Sequence, residues 1–481
     1  MALNWVDYLV IAGYLLAITA FGAWFARFQR STRDYFLTGR SVPWWAICFT
    51  IVATETSTLS FIGVPAGAYA GNMTFLQLAL GYIIGRVLVS VLFIPAYFRG
   101  ELYTSYELLY RRFGAPVKNI AAGIFVVTRT LADGVRLFAT ALVVAVVTQV
   151  PVEWTVVLIG AAMIVYTVRG GVAAVIWTDV VQMFVYVAGA AVVFAALASR
   201  IPGGAGAGLE TAAAAGRLEV WDLALDPSRV YTLWAGLVGG VALTLATHGT
   251  DQFLVQRLLA ARSARDASLG LVLSGVIVFA QFVLFLLIGA LLFAWYQTVP
   301  LPRELARTDE VLPLFVVSEL PQGVAGFIVA AIVAAALSPS INALAATTVN
   351  DFYLKYVRPD AGEAQLMRVS RAATIFWGAA QIGVALAARH VDRTVLDAGL
   401  LVLSFAAGPV LGAFLIGVLT TRVGSGAMVA GMLAGIATVT WVWWTGAAAW
   451  TWYSAVGAAA TGGVALAAGA AAPRPRQALA S

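Results

Sequence analysis

The amino-acid sequence predicts an all-α polytopic membrane protein with thirteen transmembrane helices. Three observations carry this expectation. The 481 residues are 61% hydrophobic and 11% charged, against about 25% charged in a soluble domain. Apolar stretches near the roughly 20 residues needed to cross a bilayer recur along the whole chain. The Lys and Arg between them alternate between rich and poor loops, as successive loops on two sides of a membrane do.

The apolar segments run over 6–27, 43–70, 75–98, 118–147, 153–168, 173–199, 231–256, 267–296, 322–353, 368–388, 394–420, 424–445 and 449–471. No basic stretch precedes the first, which is therefore expected to be a retained spanning helix, not a cleaved signal. The second and ninth are long and rich in Gly, Pro or hydroxyls, which predicts breaks or tilt. The tail GAAAPRPRQALAS is biased in composition and is expected to be disordered. With the N-terminus outside and the C-terminus in the cytoplasm, 19 of the 29 Lys and Arg fall on the inner side, 7 on the outer side and 3 within spans. The net charge of +6 then reflects cytoplasmic loops. No Lys/Arg run is interleaved with aromatics, so no nucleic-acid partner is expected. The single cysteine, Cys48, excludes an intramolecular disulfide and is expected to be a small core residue. No G-x-x-x-x-G-K-[ST] occurs, which excludes ATP-driven transport by that motif. No nucleophile motif accompanies His248 or His390, so an embedded enzyme is not expected. A membrane sensor would need a soluble signalling domain, and none is expected after the last segment.

Six ionisable residues fall well inside spans: Glu55, Arg86, Arg129, Asp133, Arg136 and Asp179. A charge at mid-membrane costs at least about 2.5–3.5 kcal/mol, so each needs a partner or a function. Arg129 and Asp133 are spaced i,i+4, and Asp133 and Arg136 i,i+3; this predicts a structural ion-pair ladder on one helix face. Glu55 sits in IVATETSTLSFIGVPAGAYAG with no basic residue within four positions. Its hydroxyl-rich, β-branched and glycine-containing surroundings are poor material for a continuous helix. An unwound stretch at this depth is tolerated where it lines a cavity or is buried in protein. Glu55 either pairs with Arg86 or Arg129 from another helix or serves an ion, a proton or a substrate.

Five further stretches accompany that segment: YFLTGRSVPWW (Tyr35–Trp45), YTVRGGVAAVIWTDVVQ (Tyr166–Gln182), GTDQFLVQRLLAA (Gly249–Ala261), SPSINALAATTVNDFY (Ser338–Tyr353) and GPVLGAFLIGVL (Gly408–Leu419). Together they resemble the sodium/solute symporter family over most of the chain. The resemblance implies a single membrane transport domain over 1–481. In it the first helix (6–27) precedes a five-plus-five inverted-repeat core, repeat one at 43–199 and repeat two at 231–420, and peripheral helices follow at 424–471. It places broken helices at Glu55–Ser60 and His248–Gln252, with the site between them near the midplane. By resemblance, sodium is bound by the carbonyls of Ala53 and Thr56 and by hydroxyls of the ninth helix. There this sequence departs from the family: an ungapped alignment puts Ala335 and Ala336 where a hydroxyl pair is usual. A three-residue gap instead brings Ser338 to the first hydroxyl position and Pro339 to the second. Without the gap, Ser338 falls where some members build a second sodium site with the aspartate of WTD, here Asp179. Glu55, Ser60, His248, Asp251 and Gln252 are the candidate substrate and coupling residues. The function implied is secondary active transport, the symport of a small polar organic solute with a cation, sodium first. A proton carried by Glu55 or Asp179 is the alternative. The partners implied are the solute, sodium or a proton, and the lipid bilayer of the cell membrane.

Overall fold

A computed structural model describes residues 3–26, 40–99, 102, 104–169, 172–336, 340–390 and 394–471. The motif residues 35–39, 170 and 171, the positions Ser338 and Pro339, and the tail from 472 lie outside them. Among the described residues the chain is helical, apart from turns and one isolated parallel bridge between Val42 and Ala261. Among the described residues, nine helices are long and apolar enough to cross a membrane.

Helix α1 (Trp5–Ala26) opens the chain. Asn4 caps it, its side-chain oxygen accepting from the N–H groups of Val6 and Asp7. The Asp7 carboxylate then reaches across to accept from Gly323 N at 2.7 Å and Gly326 N at 2.9 Å. A carboxylate is favoured at this end of a helix, where unpaired N–H groups collect.

The second predicted span is a bent pair, α2 (Trp44–Glu55) and α3 (Thr58–Ala70), turned by 59° at Thr56 and Ser57. The hydroxyl-rich stretch thus interrupts the helix where the sequence predicts. Next come α4 (Phe75–Leu92), α5 (Ile94–Phe98), α6 (Tyr106–Phe113), α7 (Ala115–Thr148), α8 (Val152–Arg169), α9 (Val172–Arg200) and the outlying α10 (Gly204–Ala214). A π-helical turn at Ala235–Gly240 leads into α11 (Val241–Gly249) and, past a second break, α12 (Gln252–Leu259). Asp251 supplies that break. Its backbone is extended, and its Oδ1 caps α12 by accepting from Phe253 N at 2.8 Å.

Helix α13 (Ala264–Thr298) packs along α2, α3 and α4. Gly289 permits the approach to α3: a Cβ there would lie 2.2 Å from the Pro65 carbonyl. A 3₁₀ turn at Thr308–Glu310 precedes α14 (Val311–Glu319), followed by α15 (Val324–Ala336) and α16 (Ile341–Thr347), which continues as a π-helix over Thr348–Val357. The ninth predicted segment is therefore not one regular helix. The chain then forms α17 (Glu363–Ala388), α18 (Val395–Leu419), α19 (Ser425–Thr445) and α20 (Tyr453–Ala471).

Two expectations change with the fold. Arg257 and Lys118, two of the 19 Lys and Arg that the sequence puts on the inner side, are both buried. Arg257 lies on α12, whose short half-helix tucks it inward, and Lys118 pairs with Asp351 at 2.6 Å. Cys48 is free and buried, as expected.

Candidate functional site

The two broken helices face one another across a cavity of about 100 Å³. Its polar wall carries Glu55 and Ser60 from the first break, Arg129 and Arg136 from α7, and Thr247 and His248 from α11. Leu59, Leu243, Leu396 and Leu400 make the apolar wall. A few polar groups set in an apolar lining fix a ligand's orientation while burying most of its surface.

The local backbone explains why the first break offers oxygen atoms. At the end of α2, Thr56 N donates to Val52 O and Ser57 N donates to Glu55 O. Ser60 N, the next in reach, donates to Ser57 O. Among the described residues, no backbone N–H reaches the carbonyls of Ala53 or Thr56. Both belong to buried residues. The Thr56 side chain points elsewhere, its hydroxyl donating to Gln281 Oε1 at 2.6 Å. Thr58 donates to Ile332 O of α15 at 3.0 Å, which holds the break against the ninth predicted segment. Ala335 lies on α15, while Ser338 lies outside the described residues.

Glu55 pairs with Arg86 of α4, one of the two partners the sequence left open. His248 Nε2 is 3.5 Å from the same carboxylate oxygen, and 3.3 Å from Arg86 Nη2. Thr247 Oγ1 sits 3.0 Å from His248 Nδ1. Ser60 lines the cavity and donates to the Glu55 carbonyl at 3.1 Å.

The ladder on α7 exists, but it is not confined to one helix. Arg129 is 3.6 Å from Asp133 and 3.3 Å from Asp251 at the second break. Arg136 approaches Asp133 only to 4.0 Å. Spacing along one helix could not show the cross-helix contact. Phe253 lies between two guanidinium groups, with Arg129 and Arg257 each 4.3 Å from its ring centroid.

Asp179 is fully enclosed. It accepts from Arg257 at 3.0 Å, from Thr50 at 2.7 Å and from Thr54 at 3.4 Å. Arg257 and Thr50 were absent from the sequence-based candidates, although Arg257 lies within the stretch GTDQFLVQRLLAA. Gln252 is not part of the cavity wall. It is buried, and its Oε1 accepts from Ser105 N at 2.7 Å.

Comparisons with known proteins place this geometry. A human sodium/iodide cotransporter is 32% identical over 447 residues, covering 91% of this chain and 69% of that protein. A sodium/sialic acid symporter, NanT of Aliivibrio fischeri, is 30% identical over 459 residues, covering 91% of this chain and 87% of its own length. A solved structure of a Na+-coupled sialic acid symporter, in a substrate-bound outward-open state, superposes with a TM-score of 0.90. It has 27% sequence identity and covers 98% of this chain and 99% of that one. These relatives are sodium-coupled transporters, not enzymes. The sequence model of the family matches residues 35–435, and the chain, a multi-pass membrane protein, belongs to the sodium:solute symporter family.

Proposed function

We propose that this transporter carries a small anionic solute together with sodium, by alternating access around the cavity between the two helix breaks. The observation that carries the anionic reading is Arg136 on the cavity wall, which comes no nearer than 4.0 Å to Asp133, whereas Arg129 is held by Asp133 and Asp251. Arginine is suited to anion recognition because its planar fork offers several donors. The named relatives point the same way, since iodide and, at neutral pH, sialic acid are anions.

We assign sodium to the carbonyls of Ala53 and Thr56, with Ala335 of α15 and, from the sequence pattern alone, Ser338 as the further candidates. Hard oxygen ligands without full charge suit a monovalent ion that must leave again. Asp179 marks a second candidate position. In this reading Ser60 and His248 border the solute, Glu55 is held by Arg86 at the first break, and Asp251 orients Arg129. Gln252 supports the second break from behind. Counting the shorter apolar helices Val152–Val165, Ala235–Gly249 and Val324–Val333 with the bent pair, we infer thirteen crossings and a five-plus-five inverted repeat. The N-terminus is outside and the C-terminus cytoplasmic, as the loop charges favour.

The test is uptake into proteoliposomes, with iodide, short monocarboxylates and sialic acid set against neutral sugars. An inward sodium gradient at fixed pH is expected to drive accumulation of an anion. Equal uptake without sodium, following a pH gradient instead, would refute the sodium assignment. Preference for a neutral sugar would refute the anionic one.

A further inference from the structure

The carboxylate at the first break already has a cation, and the protein supplies it. Glu55 is the last residue of α2. The C-terminal end of a helix carries partial negative charge and unpaired carbonyls. A carboxylate there adds negative charge to a negative end, so a compensating positive charge must stand beside it. Arg86 occupies that place. Its side chain is fully buried, and it pairs with Glu55 while touching His248 at 3.3 Å. The slot it fills is built for it: a Cβ on Gly275 would lie 2.9 Å from Arg86 Nη1 and 3.0 Å from its Cδ. Arg86 Nε and Nη1 have no hydrogen-bond partner among the described residues. The guanidinium is thus held there by its charge and by shape more than by a full set of donors' partners.

We infer that Arg86 is a positioning residue, a tethered counter-ion that takes the place a coupling cation would otherwise occupy at Glu55. Glu55 then binds no sodium and carries no proton during the cycle. Its charge is neutralised permanently, and the break keeps its shape whether or not an ion is bound. A sodium ion brought to the same carboxylate would face the guanidinium at close range in a low-dielectric site, where like charges repel strongly. This inference rests on the sodium-coupled reading above and specifies which groups at the first break take part in it.

The experiment measures the sodium dependence of solute uptake, and of ²²Na binding, in the full-length protein. Four variants are compared with the parent: Arg86→Lys, Arg86→Met, Glu55→Gln and the charge-neutral double variant Glu55→Gln/Arg86→Gln. Removing both charges of a buried pair is tolerated far better than removing one, so the double variant is expected to fold. It is expected to keep the parent's Hill slope for sodium, as is Arg86→Lys, which retains a cation. Arg86→Met frees the carboxylate, and its slope is expected to rise by about one. A merely structural role for Arg86 would lower yield without adding a sodium. A slope lowered by about one in the double variant overturns the inference, because Glu55 would then be a sodium ligand. An unchanged slope in folded Arg86→Met also overturns it. Should Arg86→Met or Glu55→Gln fail to fold, the double variant and Arg86→Lys decide the matter. A parent protein without any sodium dependence would instead refute the sodium-coupled reading.

Discussion

Arg129 bridges Asp133 of its own helix, at 3.6 Å, and Asp251 of the second helix break, at 3.3 Å. Arg136, about two turns of α7 further on, is differently placed. It comes no nearer than 4.0 Å to Asp133, and its side chain makes no hydrogen bond among the described residues. Two arginines on the same cavity wall therefore have different work: the first joins two elements, and the second is available to a ligand.

This asymmetry predicts opposite outcomes for the same substitution. Arg129→Gln strands buried Asp133 and half-buried Asp251 and is expected to cost about 3–5 kcal/mol of stability. Arg136→Gln removes little from the protein and should leave the thermal midpoint nearly unchanged. On the anionic reading proposed above, it should raise KM for the solute about tenfold, the equivalent of about 1.4 kcal/mol of binding. Thermal unfolding in detergent and uptake kinetics in proteoliposomes check both. An unaltered KM in folded Arg136→Gln would remove that residue from the solute site.

Asp7 fastens α1 to the start of α15 through two backbone N–H groups. Asp7→Ala leaves the buried Gly326 N–H and the half-buried Gly323 N–H without this partner and is expected to destabilise by about 2–3 kcal/mol. Asp7→Asn keeps an acceptor oxygen and should lose less than half of that. The readout is the denaturation midpoint of the purified protein, with transport kinetics of the folded fraction expected to be unchanged.

Asp309 gives a pH signature outside the spans. Burial pushes its carboxyl up to about 6, against the opposing pull of the Val395 N–H, which donates to it at 3.1 Å, and of Arg307 at 3.9 Å. A carboxyl raised in the folded state binds its proton more tightly there than in the unfolded chain. Its contribution to stability is therefore greatest below the ordinary aspartate range and declines as pH rises from about 4 to about 6. Above that range the charged, buried form carries a constant penalty. Asp309→Asn is expected to be more stable than the parent at pH 7, by roughly 1–3 kcal/mol, with the difference shrinking towards pH 4. Denaturation of both proteins across that range isolates this group from the others that titrate there. A difference that stays flat with pH would show that Asp309 does not titrate in this way.

Much of this architecture could be read from residue order alone, because its causes are local. Hydropathy over about 20 residues marks where the chain enters lipid. Hydroxyls and glycines within a turn or two mark where the second segment cannot continue as a helix, and the first break falls there; the second break is expected from the family resemblance. The structure places the bend at Thr56–Ser57 inside the predicted Glu55–Ser60, and the second at Thr250–Asp251 inside His248–Gln252. The partners of the buried charges were not legible in the same way. Glu55 could have met Arg86 or Arg129, and only the packing of α4 against α13, through the slot at Gly275, decides for Arg86. The same holds for Arg257, which the sequence puts among the inner-side cations and which instead closes on Asp179, and for Gln252, which turns to Ser105 and away from the cavity. A segment's need for lipid, water or a cap is encoded within its own few turns. The partner that answers a buried charge is set by which helix faces meet, and those faces come from residues far apart in the chain.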